Sequence, residues 1–133
     1  MLIPATRYRD CEAALRFLTE VLELTEHAIY RDEAGAIQHA QLRLGSGIFM
    51  FGPGEKSDFD RFVTSPGEAG AETTTVYAVI ADVAGLYERV KARAAEIVMP
   101  LEAQGYGGSS FTVRDAEGHI FTFGDYDPFE TPR

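Results

Sequence analysis

Ile120-Phe121-Thr122-Phe123-Gly124, near the end of the chain, has a near copy 72 positions earlier in Ile48-Phe49-Met50-Phe51-Gly52. The same offset carries Asp82 back onto Asp10. Asp10 stands before 11–22, where Ala14, Leu18, Val21 and Leu22 recur at helical spacing. Asp82 stands before 83–95, where Val83, Leu86, Val90 and Ala94 do the same. An aspartate just ahead of such a run offers an acceptor to an orphan amide of the first helical turn. Chance accounts for one repeated pentapeptide. It does not readily bring both helix starts along on the same offset, so the chain reads as two homologous halves.

Working outward, the first half predicts strands over 2–8, 25–31, 37–44 and 47–52 with a helix over 11–22. The second predicts strands over 74–81, 96–99, 110–115 and 119–126 with a helix over 83–95. Asp32-Glu33-Ala34-Gly35, Gly45-Ser46-Gly47 and Asp115-Ala116-Glu117-Gly118 carry the turn chemistry. The order is β-α-β-β-β, twice, which makes an α+β chain. Module one covers 1–53, a linker 54–73, module two 74–127 and a tail 128–133. The linker is rich in glycine, proline and acids. A structureless loop of about 20 residues is either a flexible joint or a functional lid, and both readings stay open.

Composition narrows the function. Hydrophobic residues make up 45% and charged residues 25%, which suits a folded domain rather than a disordered one. Twelve basic against 21 acidic residues leave a net charge of −9, which disfavours nucleic acid and anionic membrane as partners. The single cysteine, Cys11, excludes an internal disulfide and a cysteine zinc site; it reads as a small helix residue. No apolar run approaches the roughly 18 residues of a membrane helix. Residues 1–7 show no basic start followed by a long apolar stretch, so the expected location is cytoplasmic.

Three stretches carry a family resemblance: Arg7-Tyr8-Arg9-Asp10 before the first helix, Gly35-Ala36-Ile37-Gln38-His39-Ala40 on a hairpin, and Tyr106 through His119. On these motifs the chain resembles the vicinal oxygen chelate superfamily of glyoxalase I, bleomycin resistance proteins and ring-cleaving dioxygenases, especially its small PhnB-like bacterial members. Ser109, Ala116 and Phe121 stand where many relatives have arginine, proline and tryptophan. The resemblance implies that each half curls a mixed sheet around a cavity with its helix on the convex side.

Strand alternation then sorts the side chains by face. Phe49, Phe51, Phe121 and Phe123 should pack under the helices, with Ala40, Leu42, Leu44, Phe111 and Val113. His39, Gln41, Arg43, Met50, Thr75, Tyr77, Arg114 and Thr122 should face the cavity. His39 suits a general base or a substrate hydrogen-bond partner, and equally a satisfied polar residue on a sheet face. Arg7, Arg43 and Arg114 suit an anionic or carbonyl-bearing ligand, and equally salt bridges to the many acids. Tyr77, Tyr106 and Tyr126 suit the wall of an amphipathic pocket. His119 reads as structural and His27 as solvated.

Metal-using relatives take four ligands, one from the first and last strand of each half. The resemblance maps these onto Ile3, Met50, Thr75 and Thr122. None is the histidine, glutamine or glutamate a divalent ion needs, so no metal and no cofactor are expected. The favoured function is a homodimeric protein that binds a small amphipathic molecule without turning it over. The alternative is a lyase, isomerase or dioxygenase of the same superfamily.

Overall fold

A computed structural model describes residues 1–54 and 58–130. The first half holds β1 (Ala5–Tyr8), α1 (Cys11–Arg16), β2 (Thr25–Arg31), β3 (Ile37–Leu44) and β4 (Gly47–Pro53). Between the halves lie a 3-10 turn (Asp58–Phe62) and α2 (Pro66–Ala69). The second half holds β5 (Val76–Val79), α3 (Val83–Ala92), β6 (Glu96–Ala103), β7 (Ser109–Arg114) and β8 (Ile120–Gly124). The expected β-α-β-β-β order stands twice.

Each half makes an open four-stranded mixed sheet, β1-β4-β3-β2 and β5-β8-β7-β6. The first strand of each runs parallel to the last, and the repeat dictates the register. Ala5 lies opposite Met50, and Tyr77 opposite Thr122, so one 72-residue step maps one pair onto the other. The two N-caps behave as their sequence position predicts. Asp10 accepts from the Ala13 amide at 2.9 Å, and Asp82 from the Gly85 amide at 3.0 Å.

Several boundaries differ from expectation, each for a local reason. Strand 2–8 begins at Ala5 because Pro4 has no N–H to donate. Helix 11–22 opens into a π-helical turn, Phe17–Val21, in which the Leu22 amide reaches back to the Phe17 carbonyl. The Thr19 hydroxyl bonds the Leu15 carbonyl at 2.7 Å and competes with the regular ladder there. Helix 83–95 stops at Ala92, and Ala94 takes a left-handed φ of +62° where a glycine would be the usual signal. Strand 96–99 continues through Pro100 to Ala103, which an edge strand permits. Strand 119–126 shortens to Ile120–Gly124.

The halves share one core. Leu18, Leu22, Ala40, Leu42, Phe51, Phe111, Val90, Val113 and Phe123 are all but inaccessible, and Phe49 meets Phe121 edge-to-face across the seam at 5.4 Å. Part of the linker packs against this seam. Pro66 is buried against Gly118, and Ser65 caps α2. Among the described residues no helix is long and apolar enough to cross a membrane, which says nothing of a β-barrel.

Candidate functional site

On each sheet the face turned away from the shared core is the candidate site. Alternation along β3 buries Ala40 and Leu42 and leaves His39, Gln41 and Arg43 on the other face. β4 buries Phe49 and Phe51 and turns Met50 outward beside Gln41, its cross-strand partner. In the second sheet Phe121 and Phe123 are buried while Thr122 lies between Tyr77 and Thr112.

On the first sheet, His39 packs its ring on Tyr30 at 5.8 Å and pairs its Nε2 with the Gln41 amide nitrogen at 3.2 Å. Gln41 Nε2 can only donate, so His39 Nε2 is the acceptor of this pair. Arg43 donates to His27 Nδ1 at 2.8 Å, so His27 has a partner that its sequence context did not suggest. On the second sheet, Thr112 and Thr122 share a hydrogen bond of 2.8 Å. Tyr77 donates its hydroxyl to the Tyr126 carbonyl at 2.7 Å. Gly124 makes this reach possible, since a Cβ there would stand 2.6 Å from the Tyr77 oxygen. Partial burial, with Tyr106 nearby, raises the Tyr77 pKa above its ordinary value and keeps the phenol a neutral donor. Tyr106 lies on the β6–β7 turn with its ring 4.8 Å from that of Tyr126. Arg114 at the end of β7 pairs with Glu96 at 2.8 Å.

Thus His39, Gln41, Arg43 and Met50 gather on one sheet, while Tyr77, Thr122 and Arg114 gather on the other with Tyr106 at its rim. Two expected residues sit elsewhere. Arg7 turns to the linker, donating from Nε to Asp60 at 2.6 Å with its guanidinium 5.4 Å from the Phe59 ring centre. Thr75 precedes β5 and is exposed at a cavity of about 370 Å³ between the linker and the seam.

The metal-binding pattern of the family does not fit these residues. Ile3 has no donor atom, Met50 offers only a soft thioether, and the Thr122 hydroxyl is already shared with Thr112. Ile3 and Thr75 fall outside the strands, and opposite Met50 and Thr122 stand Ala5 and Tyr77 instead. These four positions therefore do not reproduce the histidine, glutamine or glutamate set of the metal-using relatives.

The seam carries polar chemistry that sequence reasoning missed. His119 is buried, and its Nε2–H donates to the Arg7 carbonyl, which only accepts, at 3.0 Å. Its Nδ1 faces Glu72 at 3.2 Å and the Thr6 hydroxyl at 3.4 Å. Tyr8 and Asp115 hydrogen-bond beside it. Burial and the adjacent carboxylate push the Tyr8 phenol far above its ordinary pKa, and burial raises that of Asp115. No spacing in the sequence pairs 6 with 119 or 72 with 119; only the packing of the halves does. Cys11 is buried, its thiol pushed up to about 11 by burial, which leaves it a protonated helix residue.

Comparison with known proteins agrees with this architecture. TioX from Micromonospora sp. ML1 is 28% identical, with a TM-score of 0.73 over 92% of this chain and 95% of that one. The bleomycin resistance determinant encoded on the transposon Tn5 shares the fold at 18% identity, with a TM-score of 0.68 over 96% of this chain and 98% of that one. A lactoylglutathione lyase from Agrobacterium tumefaciens shares it at 16% identity, with a TM-score of 0.63 over 93% and 91%. No curated protein matches at the sequence level. Residues 4–123 match the model of the Glyoxalase/Bleomycin resistance protein/Dioxygenase superfamily, so by its repeat, its two mixed sheets and that match over most of its length the chain belongs to this superfamily.

Proposed function

We propose that this protein binds a small apolar or amphipathic molecule against its two outward sheet faces, without a metal and without turning the molecule over. The observation that carries the reading is the make-up of those faces. Apolar side chains such as Met50, Tyr77 (39% exposed) and Val79 (45% exposed) alternate with polar groups in neutral hydrogen bonds, the mixture that orients a small molecule in an apolar pocket. The four positions where relatives place ligands hold no suitable donor. Resistance by sequestration is one form of such binding.

The working unit we propose is a cytoplasmic two-fold homodimer. Both sheets are open, and Tyr30, Tyr77, Val79 and Met99 leave apolar surface uncovered. Pairing two copies would cover sheet edges and bring opposite faces together into one cavity. The test is elemental analysis and light scattering on protein purified without chelators. The expected result is a dimer with no stoichiometric transition metal. About one tightly held ion per chain would overturn the metal-free reading, and a monomer at micromolar concentration would overturn the dimer.

A further inference from the structure

Segment 58–73, between the halves, is fastened differently from the strands on either side of it. Pro66 is its only buried residue, and Phe59 and Phe62 stand 59% and 71% exposed. Its backbone hydrogen bonds stay within the segment: Val63 to Asp60, Glu68 and Ala69 to Ser65, and Gly70 to Pro66. Among the described residues no backbone hydrogen bond ties it to either sheet. Side chains do the tying. Arg7 pairs with Asp60, Arg9 with Glu68, and His119 with Glu72. The Arg7 guanidinium also lies over the Phe59 ring.

Both neighbouring strands, by contrast, belong to sheet ladders, β4 on both of its edges and β5 against β8. A unit that buries little apolar surface and shares no ladder opens at a free energy below that of the sheets. The same segment gives Val63, Thr64, Pro66 and Ala69 to the lining of the 370 Å³ cavity, whose seam side includes Phe49 and Phe121.

We propose that 58–73 is a lid over this cavity, opening as one unit while both sheets stay folded, and that Arg7 and Arg9 latch it shut. Opening uncovers the apolar seam at Phe49 and Phe121; closing reseals it. The lid is independent of the sheet-face ligand, and its failure leaves that reading standing.

The test is native-state amide hydrogen exchange of the full chain in low concentrations of urea, followed by NMR. The Ala69 and Gly70 amides, bonded inside the lid, should be protected, yet at least about tenfold less than the ladder amides of β4 and β8. Their exchange should depend little on urea, because opening the lid exposes little surface. Arg7→Gln and Arg9→Gln lie outside the lid and leave the intrinsic exchange of its amides unchanged. Each should lower lid protection by about two- to fivefold, as loss of one ion pair does. Val90→Ala, in the buried face of α3, should lower strand protection by about tenfold or more and leave lid protection unchanged. Four results would each overturn the proposal: lid amides that share the urea slope of the strands, lid amides that lose protection with Val90→Ala, lid amides that exchange as in an unstructured chain, or lid protection that neither arginine variant moves. The wild-type urea slopes decide even if Val90→Ala fails to fold.

Discussion

Tyr8 donates its phenolic hydrogen to Asp115 at 2.5 Å, across 107 residues of sequence and the full seam between the halves. The same carboxylate accepts from the backbone amides of Glu117 and His119 at 3.0 and 2.9 Å. Glu117 in turn accepts from the amides of Arg9 and Asp10, at the start of α1. One turn of the second half therefore satisfies the polar backbone at the helix entry of the first.

Tyr8→Phe should cost about 1–3 kcal/mol, because it leaves a buried carboxylate short of a donor. A cycle of Tyr8→Phe, Asp115→Asn and the double variant, read by denaturant unfolding, should show coupling of about 0.5–3 kcal/mol. Additive effects would mean that the two side chains do not act as a pair.

Acid should loosen a second tie. Arg89 binds Glu23 with two hydrogen bonds and Arg93 adds a third. The Arg89 guanidinium, with Arg93 beside it, holds the Glu23 carboxyl down to about 2 from its ordinary 4.5. A depressed folded-state value stabilises the fold above the unfolded value and is lost as pH falls through the folded one. The stability difference between wild type and Glu23→Gln should therefore be constant above 4.5 and shrink towards 2. A gap that widens on acidification would contradict the assignment.

The two faces of each sheet should respond differently to substitution. Phe121→Ala or Phe49→Ala truncates a buried ring at the seam and should cost about 3–5 kcal/mol. His39→Phe changes a half-buried side chain on the outward face and should move the thermal midpoint by only a few degrees. Unfolding by His39→Phe with a silent Phe121→Ala would mean the faces are exchanged.

Gly108 has a φ of +67°, and a Cβ there would stand 2.4 Å from Asp125 Oδ1 and 2.9 Å from the Tyr126 amide nitrogen. Gly108→Ala should cost at least about 1–2 kcal/mol from its left-handed backbone alone. It should also disturb the Ser109–Asp125 bond and the Tyr126 carbonyl that holds Tyr77. Gly105→Ala, with nothing within 4 Å, should be nearly neutral. Equal melting temperatures for the two variants would refute this account of the loop.

The repeat makes the architecture legible in the sequence alone. A period-2 pattern with large phenylalanines on one face, aligned at one offset, fixes register as well as order. Helix ends were less legible, because the π turn at Phe17–Val21 and the left-handed Ala94 depend on competing local bonds rather than composition. The linker's short helices were hidden for the same reason: their order rests on Pro66, Asp60 and Glu72 finding partners in both halves. Alternation indicates which side chains turn outward, but not which of them find partners: the His39–Gln41, Arg43–His27 and Thr112–Thr122 pairs are visible only in the structure. Nor did it show that Arg7 is drawn to Asp60, since such pairings arise only when the halves pack.

The central claim is metal-independent binding on the sheet faces. A thermal-shift screen of amphipathic small molecules, run with and without a strong chelator on wild type, His39→Phe and Thr122→Trp, tests it most directly. A ligand stabilises only by binding the native state. The account predicts compounds that raise the midpoint equally with and without chelator, and that lose their effect in both variants. Stabilisation that needs a divalent ion, or that survives both substitutions, would contradict it.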